Sequence, residues 1–233
     1  MTDRLVIENQ SLLEADLSSR KVKAFCAIAS TFDRCDFRGV RWRDGGMGAG
    51  MTPSVYRDCV FDGARIQANP PGRARFERCS FRDVVLKDWY CFNIEMIDCV
   101  FTGRIEHSYF NGRARQPDET FGTNEFHGND FSGAKLVDVG FRTGIDLRLQ
   151  RLPEDEDLLY VWDGPEAVAR AEGAVNTWSD LESRRRAQGL LEHLRRELDG
   201  QQRQLIIEVG DTRKVFGDAV VDRVFPALIN ETN

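Results

Sequence analysis

Histidine is scarce in this 233-residue chain, and the motifs of several protein classes are missing from it. Only His107, His127 and His193 are available as acid–base groups near neutral pH, and no nucleophile motif accompanies them. None of the six cysteines stands in a C-x-x-C pair, which argues against a zinc site. We therefore expect no catalytic residues, no metal and no cofactor, and we interpret the chain as a protein other than an enzyme.

The sequence also lacks the segments that direct a chain into or across a membrane. The first thirty residues contain no basic start followed by an apolar run, and no apolar stretch approaches the length of a membrane span. We therefore expect a cytoplasmic location and no membrane partner. The cysteines are then expected to be reduced thiols, because disulfides form in oxidising compartments.

Charge is divided unevenly along the chain, whose formal net charge is −6. Residues 1–150 contain 21 Lys and Arg against 21 Asp and Glu, whereas residues 151–233 contain 11 against 17. Composition changes at the acidic run from Glu154 to Asp157. The two segments differ in net charge, and this difference indicates two structural units, 1–150 and 151–233.

An internal repeat dominates the first segment. Large apolar residues recur every 20 residues, once a single four-residue insertion is allowed, at Leu17, Phe37, Phe61, Phe81, Phe101, Phe121 and Phe141. Two residues before three of them stand Cys59, Cys79 and Cys99. Within each unit a finer period of five appears, as in Phe32, Phe37 and Trp42. A period of five fits neither a helix nor a simple strand.

The five-residue unit has a recognisable composition. Ala15-Asp16-Leu17-Ser18-Ser19, Cys35-Asp36-Phe37-Arg38-Gly39 and Asn129-Asp130-Phe131-Ser132-Gly133 each place a small residue two positions before a large apolar one. This pattern resembles the pentapeptide-repeat family over about residues 10–150. The resemblance implies a mainly β fold, a right-handed quadrilateral β-helix in which the small residue and the central Leu or Phe both point inward.

On this interpretation the seven large residues and the three cysteines form a core ladder. The cysteines are interpreted as small apolar packing in preference to a redox or metal site. Two outward columns alternate in sign over their first turns and are interpreted as structural ladders in preference to a binding surface. They lie three residues before and one residue after the central positions, at Arg34, Asp58, Arg78, Asp98, Asp118 and Asp138, and at Arg38, Asp62 and Arg82.

The repeat is interrupted twice. The Gly-rich stretch from Asp44 to Pro53 carries the insertion, is expected to bulge from one corner, and lacks the spacing of a phosphate-binding loop. Between Arg104 and Glu119 the expected inward positions hold charged or polar residues, which are costly to bury unpaired. These positions are Arg104, Glu106, Gln116 and Glu119.

Aromatic and basic residues near the second interruption are candidates for a partner-binding patch. Two identical Gly-Arg-Ala-Arg motifs, beginning at Gly72 and Gly112, supply its arginines. The candidate residues are Arg73, Arg75, His107, Tyr109, Phe110, Arg113 and Arg115. The alternative interpretation is a degenerate turn with a solvated edge.

The second segment is expected to be a small mixed α/β unit, largely helical. Its pattern predicts strands near Leu158–Trp162 and Leu205–Val209, and helices from Gly164, over Ser179–Leu198 and over Asp211–Leu228. Ser179 and Glu182 have the spacing of a capping box. Because an open β-helix end pairs with other chains unless covered, we expect this segment to cap the solenoid, to form a homodimer contact, or both.

These features favour a non-catalytic protein-interaction or scaffold module, whose protein partner the sequence does not identify. The family resemblance implies an alternative, since some pentapeptide-repeat proteins protect DNA gyrase by imitating duplex DNA and so confer antibiotic resistance. Such mimicry requires a continuous negative face, whereas residues 1–150 are balanced in charge. Gyrase is therefore the second-ranked partner, and no direct binding of nucleic acid is expected.

Overall fold

The computed structural model describes residues 4–67, 71–114 and 122–229, and it shows a β-solenoid of about five turns, with four α-helices toward the C-terminus. The chain divides into two compact units, which are described separately below. The first comprises the described parts of Met1–Phe141 and Ile145–Pro153, and the second those of Arg142–Gly144 and Glu154–Asn233. Of the helices in the described ranges, none is both long and apolar enough to cross a membrane.

Short parallel strands build the solenoid. They are β1 (Arg4–Glu8), β2 (Ser11–Leu13), β3 (Ala24–Ile28), β4 (Thr31–Asp33), β5 (Arg41–Trp42), β6 (Asp44–Ala49), β7 (Ser54–Arg57), β8 (Arg65–Gln67), β9 (Arg73–Glu77), β10 (Ser80–Lys87), β11 (Tyr90–Cys91), β12 (Asn93–Ile97), β13 (Val100–Asn111), β14 (Phe126–His127) and β15 (Asp130–Arg142). They form three sheets, ordered β1-β3-β6, β11-β13-β10-β8-β5 with β15 beside β13, and β14-β12-β9-β7-β4-β2.

Residues in the left-handed region of backbone space end many of these strands. Five of them form one corner column, with φ between 49° and 54°: Glu14, Arg34, Asp58, Arg78 and Asp98. A positive φ turns the chain sharply, and non-glycine residues rarely adopt it. The outward column predicted from the sequence is therefore a column of corners, where charged side chains remain in solvent.

Aromatic side chains stack along the core of the solenoid. Phe37, Phe61, Phe81 and Phe101 follow one another with ring centroids 4.6, 4.7 and 4.9 Å apart and nearly parallel planes. A second column passes through Phe32, Tyr56 and Phe76 at 4.6 and 4.8 Å. These separations match the spacing of neighbouring strands, about 4.8 Å, so each turn adds one ring to each column.

Beyond Phe101 the first column departs from the predicted 20-residue spacing. Phe131 stacks on Phe101 at 4.6 Å, although it follows it by 30 residues. Phe141 stacks on Phe110 at 5.3 Å, so it belongs to another column and its predicted place in the ladder was wrong. Phe121 lies outside the described residues. The stretch from Phe101 to Phe131 is ten residues longer than the repeat of 20, and the Asn124 amide donates to the Gly112 carbonyl within it.

The cysteines form a buried ladder beside the aromatic columns. Cys35, Cys59, Cys79 and Cys99 are at most 1% exposed, and all six cysteines are free thiols. Each of the four thiols donates to carbonyl oxygens, as Cys79 does to Tyr56 at 3.4 Å. Burial raises the pKa of Cys79 and of Cys91 well above the ordinary value. At these two thiols the environment therefore disfavours the reactive thiolate, whereas a hydrogen bond with Cys79 lowers the pKa of Cys59.

We predict that Cys59, Cys79 and Cys99 resist alkylation by iodoacetamide in the native protein and react fully once it is denatured. The reason is geometric, since reagent reaches a buried sulfur only when a turn of the solenoid opens. Counting adducts by intact-protein mass spectrometry, before and after guanidinium treatment, checks this. Complete labelling of these three thiols within minutes under native conditions contradicts the inward ladder.

The Gly-rich insertion lies largely within a sheet. Asp44–Ala49 forms β6, which pairs with β3, and Met47 is fully buried. Between Gly46 and Ala49 the register with β3 shifts by one residue, so the predicted corner bulge is here a local irregularity within the sheet, and the exposed part is confined to the turn from Gly50. Gly48 forms a bridge with Gly72 in the next turn, so two backbones approach here without side chains between them.

The second unit combines a two-stranded antiparallel sheet with four helices. Its elements are β16 (Leu158–Val161), α1 (Gly164–Asn176), α2 (Leu181–Glu197), β17 (Leu205–Glu208), α3 (Val209–Phe216) and α4 (Asp218–Leu228). One apolar cluster joins them, including Val168, Leu190, Leu194, Ile207 and Val224. A single core explains why the amphipathic stripes of this segment predict its helices.

Two details of the second unit differ from the sequence-based expectation. The N-cap of α2 is Asp180, whose carboxylate accepts from the Glu182 amide at 3.1 Å, so the predicted capping box at Ser179 was wrong by one residue. The helix predicted over Asp211–Leu228 is two helices, because Gly217 adopts a φ of 90° between α3 and α4.

Candidate partner-binding faces of the solenoid

Side chains of a strand alternate between the two sides of a sheet, so an inward residue has outward neighbours before and after it. Because successive turns of the solenoid stack in register, these outward residues align in columns along its length. The charge of each column therefore determines what a sheet presents to a partner.

The aromatic part of the predicted patch is exposed only in part. Phe110 is fully buried and packs against Phe126 and Phe131, so its prediction as a contact residue was wrong. Tyr109 is half-buried and stacks on Tyr90 at 5.5 Å. His107 is exposed, and its Nδ1 lies 2.9 Å from Asp138 Oδ2.

The arginines of the patch do not form one cluster of cations. Arg75 pairs with Glu77 at 2.5 Å, with Glu95 at 2.8 Å and with Glu125, and these carboxylates raise its pKa although burial opposes the shift. Three carboxylates compensate its charge, so Arg75 is not a free cation, and its role as a contact residue stays a prediction. Arg73 is half-buried in β9, and Arg113 is exposed. Arg115 lies outside the described residues.

The expected inward charges point outward instead. Arg104 is exposed and pairs with the partly buried Glu106, while Ile105 between them is fully buried. Gly103 lies opposite Val84 across the β10–β13 register, so this turn is one residue shorter than the preceding one. A Cβ at Gly103 would lie 2.4 Å from the Val84 oxygen, so no larger residue fits the shortened corner. Gln116 and Glu119 lie outside the described residues.

The sheet ordered β14 to β2 presents an outer surface dense in ion pairs. Arg34 pairs with Glu14 at 3.0 Å, Arg57 with Glu77 at 3.1 Å, and Arg78 with Asp58 at 2.8 Å. We call this surface the ion-paired face, formed by Glu14, Asp33, Arg34, Arg57, Asp58, Arg75, Glu77, Arg78, Glu95, Asp98 and Glu125. Exposed pairs contribute little stability, but they compensate charge locally.

The sheet containing β5, β8, β10 and β13 presents a different surface. Backbone pairing aligns one residue from each turn: Lys21 lies opposite Arg41, and Arg41 opposite Arg65. Val85 lies opposite Arg65 on one side and Arg104 on the other. The four basic residues of this column are exposed. One outward column thus carries basic residues on four of the five turns that it crosses.

A second outward column lies two residues further along the same strands. The Arg43 amide donates to the Lys23 carbonyl, and Lys87 pairs in register with Gln67 and Glu106. Lys135 lies in β15, which pairs with β13. It is the exposed residue directly before buried Leu136, as Arg104 is before buried Ile105, so it continues the first column. We call this surface the basic face, formed by Lys21, Lys23, Arg41, Arg43, Arg65, Lys87, Arg104 and Lys135.

Several cations of the basic face make no ion pair with a described residue. Lys87 lies opposite Glu106 in register, and it helps Arg104 to lower the pKa of that carboxyl. Within residues 4–67, 71–114 and 122–229, Arg104 pairs with Glu106, whereas no ion pair is found for Lys21, Arg41, Arg65 or Lys87. The balanced composition of residues 1–150 therefore conceals a separation of charge between faces. The first outward column stands four residues after the central residues of the repeat, so its positions could have been found from the sequence. Those central residues are Leu17, Phe37, Phe61, Phe81 and Phe131.

The second unit has a groove between α1 and α2, with a cavity volume of about 350 Å³. Val175 and Leu191 contribute apolar surface, and Arg195 pairs with Glu172 across it. Its lining contains no histidine, cysteine or serine. Among the described residues of the whole chain, no three His, Cys, Asp or Glu side chains are grouped to hold a metal ion.

Comparison with known proteins gives limited likeness. No family model matches the chain, and no curated protein matches it. A solved structure of trypsin-treated QnrB1, a plasmid-mediated fluoroquinolone resistance protein, is 18% identical with a TM-score of 0.24, covering 65% of this chain and 80% of that one. Full-length QnrB1 is 14% identical with a TM-score of 0.19, covering 63% and 81%. At these values neither match identifies a partner or an activity for this chain.

Proposed function

We propose that the chain is a non-catalytic protein-interaction module, in which the solenoid presents preformed faces to a protein partner. The basic face carries this proposal. Its cations are held on consecutive turns of a packed solenoid, so binding requires little ordering of the backbone. Lys21, Arg41 and Arg65 make no ion pair with a described residue, so they can attract an anionic surface and orient it during encounter.

In this proposal the solenoid is the right-handed, four-sided β-helix of the pentapeptide-repeat family. Two observations support it. Inward residues follow one another at intervals of five, as in Phe32, Phe37 and Trp42. Besides the three sheets, a fourth column of parallel bridges joins Asp16, Asp36, Val60 and Ser80. The second unit serves as a cap or a homodimer contact in the same proposal, and the protein resides in the cytoplasm.

The filled interior supports a role without catalysis. Rings stack throughout the described core at separations below 5 Å from Phe37 to Phe101, which leaves no room for a substrate inside the solenoid. The groove between α1 and α2 offers carboxylates and one arginine, but no nucleophile paired with a base. Binding at an outer face is what this architecture provides.

Modulation of DNA gyrase by DNA mimicry is the second candidate function. One observation favours it, since the concentration of cations on the basic face leaves carboxylates in excess over arginines on the ion-paired face. However, Arg34, Arg57, Arg75 and Arg78 stand between those carboxylates and pair with them. A phosphate-binding surface would meet alternating charges there, so this function ranks below the first.

A matched pair of triple variants tests the proposed function. The basic-face variant carries Lys21→Gln, Arg41→Gln and Arg65→Gln, and the ion-paired variant carries Arg34→Gln, Arg57→Gln and Arg78→Gln. Both lose three positive charges, so they differ only in which face changes. We expect immobilised full-length protein to capture a specific host protein, identified by mass spectrometry, that the ion-paired variant retains and the basic-face variant loses.

Equal capture by all three proteins contradicts a role for the basic face. Purified DNA gyrase provides the second arm of this test. The ranking of the two functions is reversed if both the wild type and the basic-face variant retain gyrase, and if salt weakens that binding. Far-ultraviolet circular dichroism of each variant verifies that the solenoid is intact.

A further inference from the structure

The basic face has a chemistry that selects one class of partner. We propose that it binds an extended acidic segment of a partner protein, laid along the solenoid axis. This inference rests on the proposed function as an interaction module, and it adds the chemistry and conformation of what is bound.

The dimensions of the basic face fit a single extended chain. Its two columns are two residues apart along each strand, roughly 7 Å, and successive turns are about 4.8 Å apart. From the turn of Lys21 to that of Lys135 the column crosses five such steps, about 24 Å. An extended peptide rises about 3.4 Å per residue, so about seven residues span this length.

Carboxylates are anions that these side chains bind in a defined geometry. Arginine presents a planar fork of donors that matches a carboxylate with two parallel hydrogen bonds. Arg41 and Arg65 are exposed and adjacent in register, and neither makes an ion pair with a described residue. Their mutual repulsion across neighbouring strands falls when an anion lies between them. Acidic side chains on one face of an extended segment are about 7 Å apart, so a segment of about seven residues brings roughly four carboxylates to the column.

The same observations disfavour nucleic acid as the occupant. Single strands bind through aromatic platforms, and the described outward residues of this face include none, because Trp42 is buried. The phosphates of a duplex follow a helical path and diverge from a straight column of cations. A long polyanion also meets repulsion from a chain of net charge −6, whereas a short segment contacts only the face itself.

Fluorescence anisotropy tests the inference directly on the full-length protein. The probe is a fluorescein-labelled eight-residue peptide of alternating Glu and Ser, and the comparison ligands are the same peptide with Gln for Glu and a short DNA duplex. We expect the acidic peptide to bind, the Gln peptide to bind at least about 10-fold more weakly, and binding to weaken as salt rises from about 50 to 300 mM.

The two triple variants separate local contact from net charge. We expect the basic-face variant to weaken acidic-peptide binding at least about 10-fold, and the ion-paired variant to change it by less than about 2-fold. Equal losses in both variants overturn the inference, because net charge then explains binding. Tighter binding of the duplex, with the greater loss in the basic-face variant, overturns it in favour of nucleic acid.

A second copy of this chain is the remaining alternative occupant, since its exposed run from Glu154 to Asp157 is itself acidic. If the wild type is a dimer by light scattering and the basic-face variant a monomer, with no peptide bound by either, the inference is overturned in favour of self-association. Absence of peptide binding also overturns it where a host protein is still captured through the basic face. In that case the proposed interaction function stands and only the acidic-segment chemistry fails.

Discussion

Replacement of Phe81 by alanine is expected to lower the free energy of unfolding by about 3–5 kcal/mol. Phe81 is fully buried and stacks between Phe61 and Phe101 at 4.7 and 4.9 Å. Its ring also meets the edges of Phe76 and Trp89, at 5.7 and 6.1 Å. Both stacked neighbours are fixed by hydrogen bonds between turns, so the cavity cannot collapse and the full cost of lost packing remains.

Guanidinium denaturation of the full-length protein measures this loss, and hydrogen exchange locates it in the solenoid. Leu13→Ala is the control, because Leu13 is 62% exposed and its truncation is expected to change stability by less than about 0.5 kcal/mol. A loss below about 1 kcal/mol for Phe81→Ala contradicts the stacked column as the main source of stability.

Position along the solenoid determines how far such damage extends. Each turn contacts only its neighbours, so stability is approximately a sum of turns and of the interfaces between them. Phe81 contributes to interfaces on both sides, whereas Leu17 lies near one end and is 8% exposed. The aromatic columns in the middle turns therefore contribute more per residue than the apolar residues of the first turn.

Periodicity predicts the solenoid core where turns keep the same length. The ladder from Leu17 to Phe101 and the buried cysteines follow from spacing alone, because a period fixes which side chains face inward. The prediction fails after Phe101 because one residue is missing at Gly103 relative to the preceding turn, and because the next stacked ring, Phe131, follows Phe101 by 30 residues instead of 20. Phenylalanines at 121 and 141 preserve the apparent spacing, so the sequence does not reveal the change.

The candidate site was predicted less well than the core. Spacing relative to the central residue locates outward columns, and it correctly places Arg34, Asp58 and Arg78 at exposed corners. It does not reveal which charges are compensated, since Arg75 meets Glu125 across 50 residues of sequence. Local composition therefore predicted a patch of cations where the structure has ion pairs.

Gly48→Ala is expected to destabilise the protein by about 3 kcal/mol or more. A Cβ at this position would lie 1.5 Å from the Arg73 carbonyl oxygen and 2.3 Å from its carbon, both backbone atoms. The Gly48 amide also donates to the Pro71 oxygen, so the two turns cannot separate without losing hydrogen bonds. Relief of the clash therefore requires displacement of β6 from the turn that contains β9.

The matched control is Gly173→Ala, which makes the same chemical change within α1, where no atom outside the local helix backbone lies within 4 Å of the new Cβ. Alanine favours a helix over glycine by up to about 1 kcal/mol, so this variant should be as stable as the wild type or more stable. The melting temperature is then expected to fall for Gly48→Ala and to stay unchanged or rise for Gly173→Ala. Equal stability of Gly48→Ala and the wild type contradicts the close approach of turns at Gly48 and Gly72, and restores the surface bulge that the insertion predicted.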